Sequence, residues 1–160
     1  MDLPVESEVE FVVRPADFGD LPKLLLLYRD LNPDDPELAL HEAESKFGLL
    51  LRITGSAIFI GLLDDEIVST ATVVVVPNLT RAGQPYGLIE NVVTAKAKRG
   101  RGYGRKTLLQ AVATAWDHGC YKVMLLTGSS RPETHNFYRS AGFEQNKTGF
   151  QMRRIAARRD

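Results

Sequence analysis

The sequence predicts one domain of the α/β class, an α+β arrangement in which a central mixed β-sheet carries helices on both faces. Strand-like stretches in the middle of the chain are flanked by helix-like stretches on either side. The run Val73-Val74-Val75-Val76 does not alternate apolar with polar side chains, which is typical of a strand covered on both faces. The chain has 160 residues, a length that suits a single compact domain, and we expect its core to cover residues 9–154.

The first part of the chain predicts a strand followed by two helices. Residues 9–14 alternate well enough for a strand and are followed by a proline. Asp17 or Asp20 can cap a helix that continues through residue 30, because aspartate accepts hydrogen bonds from the first turn. Asp35, Pro36 and Glu37 have the order of cap, first helical residue and acidic first turn, so they predict a second helix ending near residue 51.

The middle of the chain predicts a hairpin and a central strand. Residues 57–63 and 66–76 form two strand-like runs joined by a tight turn at Asp64-Asp65. The polar segment 77–85 then leads into a strand that starts at Tyr86. This segment is either a plain connection or a loop that contacts the acceptor or a second subunit, since long loops in compact domains are often functional.

The last third predicts two helices, a strand between them and a closing pair of strands. Apolar spacing marks a helix that ends at Gly119, a good position for a left-handed cap. The predicted ranges that follow are a strand at 121–127, a helix at 132–140, and closing strands at 143–144 and 150–154.

Composition limits the classes of function. The chain carries 20 basic and 20 acidic residues, and this neutral balance argues against a nucleic-acid binder, which is normally basic. No apolar run approaches the ~20 residues that span a bilayer, so no membrane partner is expected. The single cysteine, Cys120, excludes an internal disulfide, and nothing resembles a secretion signal. A cytoplasmic location is the default expectation, with the basic tail at residues 153–159 as a solvated terminus.

The segment at residues 98–107 has the composition of an anion site. It places three glycines at alternate positions among five basic side chains, between a strand-like run and a helix-like run. Glycines allow the backbone to turn tightly and approach a ligand closely. The start of a helix presents unpaired N–H groups and the positive end of its dipole. We therefore predict a phosphate-binding turn.

Spacing excludes two common phosphate loops. A P-loop places a glycine directly before its lysine and hydroxyl residue, but here Arg105 precedes Lys106. A dinucleotide fingerprint needs a third glycine three positions after the second, and Arg105 occupies that position after Gly102.

Two motifs together point to a family. Arg99-x-x-Gly102-x-Gly104 follows the central strand, and residues 136–143, with the sequence Asn-Phe-Tyr-Arg-Ser-Ala-Gly-Phe, follow the next one. In motif order and flanking elements the chain resembles the GNAT superfamily of acyl-CoA-dependent N-acetyltransferases. The resemblance implies the GNAT fold and acetyl-CoA as co-substrate.

The resemblance also implies which residues bind the coenzyme. The backbone of Val92, Val93 and Thr94 would line pantetheine like an added strand, with the N–H of Val93 donating to the thioester oxygen. Asn136 resembles the family's coenzyme-contacting asparagine, although it is equally interpretable as a helix surface residue. The amides expected to bind pyrophosphate are those of Arg99, Gly100, Arg101, Gly102, Tyr103, Gly104 and Arg105.

Two side chains are candidates for proton transfer. Tyr138 is the candidate acid, because a phenol with a pKa near ~10 stays protonated at neutral pH and can supply a proton to a leaving thiolate. The alternative is an aromatic side chain that only fills the groove. Glu90, within the central strand, could accept the proton of the amine, or could instead be paired structurally with a neighbouring strand.

No metal ligands and no serine or cysteine nucleophile with a partner are apparent, so direct transfer to an amine in a ternary complex is the expected reaction. Residues 89–94, the glycine turn and residues 120–125 are similar to glucosamine-6-phosphate N-acetyltransferases. The chain departs from them at residues 126–128, where those enzymes tend to carry an acidic residue and a cysteine. We therefore expect a small-molecule amine. A protein or peptide acceptor, or a catalytically silent acyl-CoA-binding or regulatory module, is the alternative. A homodimer is plausible by resemblance, with the loop at 77–85 as a candidate contact.

Overall fold

A computed structural model describes residues 10–156, so residue 9 at the predicted start of the first strand and residues 157–160 of the basic tail lie outside it. The sheet has five strands in the order β1-β2-β3-β4-β5. Neighbours from β1 to β4 pair antiparallel, and β4 pairs with β5 in parallel, which confirms a mixed sheet. The strands are β1 (Phe11–Pro15), β2 (Ala57–Leu63), β3 (Glu66–Val76), β4 (Tyr86–Thr94) and β5 (Val123–Met124).

Helices cover both faces of this sheet, as predicted. The four α-helices are α1 (Leu21–Leu31), α2 (Leu40–Leu51), α3 (Tyr103–Asp117) and α4 (Pro132–Ser140). On one face, α1 and α2 bury a core with Leu24, Phe47 and Val93. On the other face, α3 buries Leu108 against Ile89, and side chains of α4 pack at the margin of that second core.

Coverage on both faces is found in β3, the middle strand of the sheet. Every residue from 67 to 73 is buried, which is earlier in the strand than the predicted run at 73–76. Within that run Val73 and Val75 are buried, whereas Val74 and Val76 are only partly covered. The predicted hairpin turn is present, with Asp64 in the left-handed region at φ 51°.

Of the two predicted aspartate caps at the entry to α1, Asp17 caps with its side chain, whereas Asp20 is the N-cap residue of α1 without a side-chain capping hydrogen bond there. Asp17 caps a short 3-10 helix at Phe18–Asp20, and its side chain accepts a hydrogen bond from the N–H of Gly19 at 2.8 Å. Asp20 accepts from the N–H of Asp17 at 2.8 Å and completes a capping box. Asp20 also receives two hydrogen bonds from the guanidinium of Arg14, at 2.7 and 2.9 Å, which tie β1 to the start of α1.

Three predicted elements differ from the structure. The second helix begins at Leu40 rather than Pro36, because residues 33–39 are exposed and a further helical turn there would bury no apolar surface. The strand predicted at 121–127 is reduced to β5. The closing strands at 143–144 and 150–154 are absent from the described chain, where Phe150 is 93% exposed and finds no layer to pack against.

No helix within residues 10–156 has the length and apolar character that crossing a bilayer requires.

The Arg14–Asp20 pair generates a stability prediction. Asp20→Asn should lower the free energy of unfolding at neutral pH by about 1–2 kcal/mol, because it weakens a charge-assisted, partly buried interaction. Hydrogen bonding from Arg14 lowers the pKa of the Asp20 carboxyl below its usual value, against the opposing effect of burial. This stabilisation is therefore present above about pH 4 and is lost as the pH falls through the lowered pKa.

Urea unfolding at pH 7 and at pH 3 would measure the effect, with the exposed Asp117→Asn as the matched control. The difference in free energy of unfolding between wild type and Asp20→Asn should be smaller at pH 3 than at pH 7. A difference that does not change with pH would contradict a stabilising role of the ionised Asp20 carboxylate.

Candidate active site

The site is a crevice that opens where β4 and β5 separate. The two strands pair at only two positions, Gly87 with Val123 and Leu88 with Met124. Beyond them, a cavity of about 290 Å³ lies between the strands. Its wall consists of the end of α1, the bulged part of β4, the segment after β5 and one residue of α4. The lining residues are Leu31, Asn32, Ile89, Glu90, Asn91, Val92, Leu125, Leu126, Thr127, Gly128 and Tyr138.

A β-bulge in β4 produces this separation. Thr72 of β3 lies opposite Glu90 and Thr70 lies opposite Val93, so Asn91 and Val92 together face a single residue of β3. Asn91 has φ 52°, a left-handed conformation that asparagine adopts more readily than most residues. A bulge bends its strand and increases the local twist, which turns β4 away from β5.

The register also determines which backbone groups of β4 face the crevice. The N–H of Ala95 donates to the carbonyl of Val68 on β3 at 2.9 Å. Because alternate residues of a strand point their N–H groups to opposite sides, the N–H of Val93 also faces β3. Those of Val92 and Thr94 face the open side. This geometry favours Val92 over the expected Val93 as a donor into the crevice.

The predicted glycine turn has the expected backbone form. Gly100 and Gly102 adopt left-handed φ values of 75° and 82°, and Gly102 is the N-cap of α3. The first helical hydrogen bond runs from Lys106 N–H to Gly102 carbonyl at 3.1 Å. The N–H groups of residues 102–105 therefore have no acceptor within the helix and point out from its positive end.

Gly104 brings this turn against the end of β4. A β-carbon at this position would collide with the hydroxyl of Thr94 and would lie 3.6 Å from the ring of Phe137. By contrast, a β-carbon at Gly100 or Gly102 would meet nothing within 4 Å. Close approach therefore requires glycine at 104, whereas conformation requires it at the other two positions.

The three arginines of the turn differ in their contacts. Arg99 donates from Nε to the carbonyl of Thr94 at 3.1 Å, and Arg105 donates from Nε to the carbonyl of Ser140 at 3.0 Å. Both bonds leave the two terminal guanidinium nitrogens for another acceptor. Arg101 is exposed and makes no hydrogen bond or ion pair within residues 10–156. The turn therefore combines unpaired backbone donors with mobile positive charge, which suits a phosphate.

The side chains of two predicted coenzyme-contacting residues make their contacts elsewhere in the protein. The ring of Tyr103 stacks on Phe11 of β1 at 4.6 Å between centroids, so only its backbone faces the turn. Asn136 is exposed on α4, and its side-chain amide oxygen Oδ1 accepts a hydrogen bond from the guanidinium of Arg139 at 3.3 Å. Asn136 does not line the crevice, and this position favours the surface interpretation.

Tyr138 and Glu90 meet at the crevice. The ring of Tyr138 packs edge-on against Phe137 and Phe143, with centroids 5.1 and 6.2 Å apart. Burial raises the pKa of Tyr138, and the negative charge of Glu90 raises it further. The phenol is thus held in its protonated form, next to a carboxylate that is exposed.

Other features lie away from this chemistry. A larger cavity of about 530 Å³ is lined by residues such as Arg52, Asn78 and His118, and none of the predicted site residues lies in it. We therefore place the site in the smaller crevice, where the candidate acid and base converge. Within the described residues no group of three or more His, Cys, Asp or Glu is arranged to hold a metal ion.

Comparison with known proteins identifies the family. The model of the acetyltransferase (GNAT) family matches residues 24–143, which include both the crevice and the glycine turn. The chain belongs to this family. Its fold is shared with a proposed acetyltransferase from Agrobacterium tumefaciens str. C58, at 55% identity and a TM-score of 0.84, covering 89% of this chain and 99% of that one.

Two further relatives carry a named activity. A glucosamine 6-phosphate N-acetyltransferase of Trypanosoma brucei brucei is 34% identical over 82 residues, 51% of this chain. The match spans about half of that protein, 54% of its length. The crystal structure of glucosamine-6-phosphate N-acetyltransferase from Arabidopsis thaliana has a TM-score of 0.82 at 21% identity, covering 91% of this chain and 99% of that one. At that identity the likeness concerns the fold.

Sequence reasoning missed three features of the site. The bulge is one, and its signal was an asparagine inside an apolar strand at position 91. The stacking of Phe11 on the turn is another, and no local pattern announces it. The third is a pair of buried hydroxyls, Tyr28 and Thr72, on the α1 side of the sheet behind Glu90.

The close approach at Gly104 predicts an asymmetric response to alanine. Gly104→Ala should reduce the free energy of unfolding by about 1–2 kcal/mol, because the collision with Thr94 outweighs the better helix propensity of alanine. Gly128→Ala is the matched control, since its β-carbon would meet nothing within 4 Å. Urea unfolding of both variants would measure this, and equal stability of the two would contradict the packing role of Gly104.

Proposed function

We propose that the protein is an N-acetyltransferase that moves the acetyl group of acetyl-CoA to a primary amine, by direct attack in a ternary complex. The observation that carries the proposal is the convergence of Tyr138 and Glu90 on a crevice whose wall continues through β4 to the glycine turn. Family membership supports the same reaction class.

The residues present fit the coenzyme. The N–H groups at the start of α3 and the side chains of Arg99, Arg101 and Arg105 would hold the pyrophosphate. The N–H groups of Val92 and Thr94 on the open side of β4 would bind pantetheine in the manner of an added strand. When bound, acetyl-CoA supplies an activated acyl group as a thioester.

The chain's own groups would then stabilise the developing negative charge and transfer the protons. The N–H of Val92 would donate to the carbonyl oxygen of the acyl group, where negative charge develops. Glu90 would take the proton of the attacking amine, directly or through water. The new C–N bond forms as the C–S bond breaks, and Tyr138 would give its proton to the departing sulfur. Its raised pKa keeps that proton available in the resting enzyme.

A small-molecule amine is the proposed acceptor. The trypanosome relative is named for acetylation of glucosamine 6-phosphate, and its match to this chain supports a compact, polar acceptor. The presence of Tyr138 in the crevice argues against a catalytically silent binding module. A cytoplasmic location and a homodimer with the loop at residues 77–85 as a candidate contact belong to the same proposal.

Substitution of the acid should slow turnover without weakening coenzyme binding. Release of free thiol from acetyl-CoA would be measured with amino sugars, a polyamine and a lysine peptide. With the best acceptor, Tyr138→Phe should lower kcat about 10²-fold and leave KM for acetyl-CoA unchanged. Because burial and Glu90 raise the pKa of Tyr138, kcat of the wild type should hold on this account to above about pH 10.

Tyr121→Phe is the control, because Tyr121 lies outside the crevice. If coenzyme A binds but none of the amines is acetylated, the result would contradict the enzymatic function and favour a catalytically silent binding module. If only the lysine peptide is acetylated, the acceptor is a protein rather than a small molecule.

The charge of the turn predicts a salt-dependent affinity. Arg101→Ala should weaken coenzyme A binding about two- to fivefold at low salt, and by less at high salt, since an exposed charge is screened by ions. Calorimetry at two ionic strengths would measure this, with Arg52→Ala at the larger cavity as the control. Equal effects of the two substitutions would contradict binding of pyrophosphate at the turn.

A further inference from the structure

Two buried hydroxyl groups on the α1 side of the sheet have no partner at full hydrogen-bonding distance and angle within residues 10–156. They are Oη of Tyr28 and Oγ1 of Thr72, and among the described residues no other buried side-chain nitrogen or oxygen lacks a partner. A buried hydroxyl without a partner destabilises the folded protein. Phenylalanine and valine would fill the same space without this cost, so packing gives no reason for the two hydroxyls.

Both hydroxyls lie close to the candidate base. Thr72 is the residue of β3 directly opposite Glu90 on β4, and opposite residues of an antiparallel pair share one face of the sheet. Tyr28 belongs to α1, one turn before Leu31, which lines the crevice. Thr72 is therefore a neighbour of both Tyr28 and Glu90.

The surroundings of Tyr28 identify its neighbours. Burial raises the pKa of Tyr28, while hydrogen bonding from the side chains of Thr72 and Thr70 lowers it, so both threonines lie beside the phenol. Thr70 already donates to the carbonyl of Phe59 at 2.8 Å. Thr72 is thus the neighbour whose hydroxyl has, in the described part of the chain, no partner other than the phenol.

Glu90 will need donors when the crevice is filled. Its carboxylate is exposed in the free protein and is hydrated by solvent. An acceptor that enters the crevice removes that water, and a carboxylate that loses water is stable only if other donors replace it. The other titratable group facing Glu90 is Tyr138 of α4, whose proton the reaction itself consumes.

We propose that Tyr28 and Thr72 are positioning residues for Glu90. On acceptor binding, the hydroxyl of Thr72 donates to the Glu90 carboxylate and the hydroxyl of Tyr28 donates to the oxygen of Thr72. This chain of two hydrogen bonds holds the carboxylate in place, with its free oxygen toward the amine. The inference rests on the proposed function, because it assigns a support to the base of that reaction.

The test uses substitutions that remove only a hydroxyl. Tyr28→Phe and Thr72→Val should each lower kcat about tenfold, the scale of one hydrogen bond to a charged group, and leave KM for acetyl-CoA unchanged. The double variant should be no more than about twofold slower than either single variant, because the two bonds act in series. Thr72→Ser keeps the hydroxyl and should retain kcat near the wild-type value.

Stability and a Glu90 background separate this role from a structural one. The melting temperature of Tyr28→Phe should stay the same or rise, since an unpaired buried hydroxyl is removed. In a Glu90→Gln background, Tyr28→Phe should have no further effect on kcat, because the carboxylate that it supports is gone. Tyr121→Phe serves again as the matched control.

The outcomes are distinct. Three results would each overturn the positioning role. The first is an unchanged kcat in the single variants, and the second is a lower melting temperature that accounts for the lost activity. The third is an effect of Tyr28→Phe on kcat that is as large in the Glu90→Gln background as in the wild type. An inactive wild type with all acceptors would contradict the proposed function itself, and with it the role of Glu90. An active wild type with unaffected Tyr28 and Thr72 variants would contradict only the support of Glu90.

Discussion

The pairing of two residues of β4, Asn91 and Val92, against one residue of β3 is the constraint on which the crevice depends. Before the bulge, the N–H of Gly87 points to β5 and donates to the carbonyl of Lys122 at 2.9 Å. After it, the groups that face β5 belong to residues of the opposite parity. A single extra residue therefore ends the pairing with β5 and leaves a row of backbone groups unused by the sheet. In an ordinary ladder those groups would be satisfied, and no ligand could bind there.

The position of α3 follows from the same strand. The absence of a side chain at Gly104 lets the start of the helix rest on Thr94, two residues after the bulge. Arg99 ties the turn to the carbonyl of Thr94, and Arg105 ties it to the end of α4. The anion site and the crevice are thus parts of one rigid path along β4. Alignment of a long ligand needs this rigidity, because its two ends bind at different places.

Much of the fold was predictable because its signals are local. Strand periodicity, the Asp64 turn and the glycine turn each depend on a few adjacent residues, and the structure contains all of them. The start of α2 at Leu40 and the missing closing strands were mispredicted, because both depend on whether distant surface is available to pack against.

The site shows the same division. Convergence of Tyr138 and Glu90 on one crevice agrees with the motif analysis, whereas the bulge could not be derived from spacing, since it is a property of pairing between strands. The direction of the Val93 N–H depends on that pairing, and the register favours Val92 as the donor into the crevice. The buried hydroxyls of Tyr28 and Thr72 come from α1 and β3, which are remote in sequence and are brought together only by the fold.

Because β5 pairs with β4 at only two positions, the two sides of the crevice differ in how much sequence change they tolerate without loss of stability. The proposed donor side is built on β4 and the start of α3, where a change of register or of Gly104 would disturb the core. The opposite wall consists of residues 125–128, which carry no sheet hydrogen bonds, together with the end of α1. Leu31 and Leu125 pack against the two cores, but residues 126–128 are exposed, so substitutions there have little effect on folding and alter the proposed acceptor side alone. A scaffold divided in this way is well suited to duplication and divergence into enzymes with one shared co-substrate and many different amines.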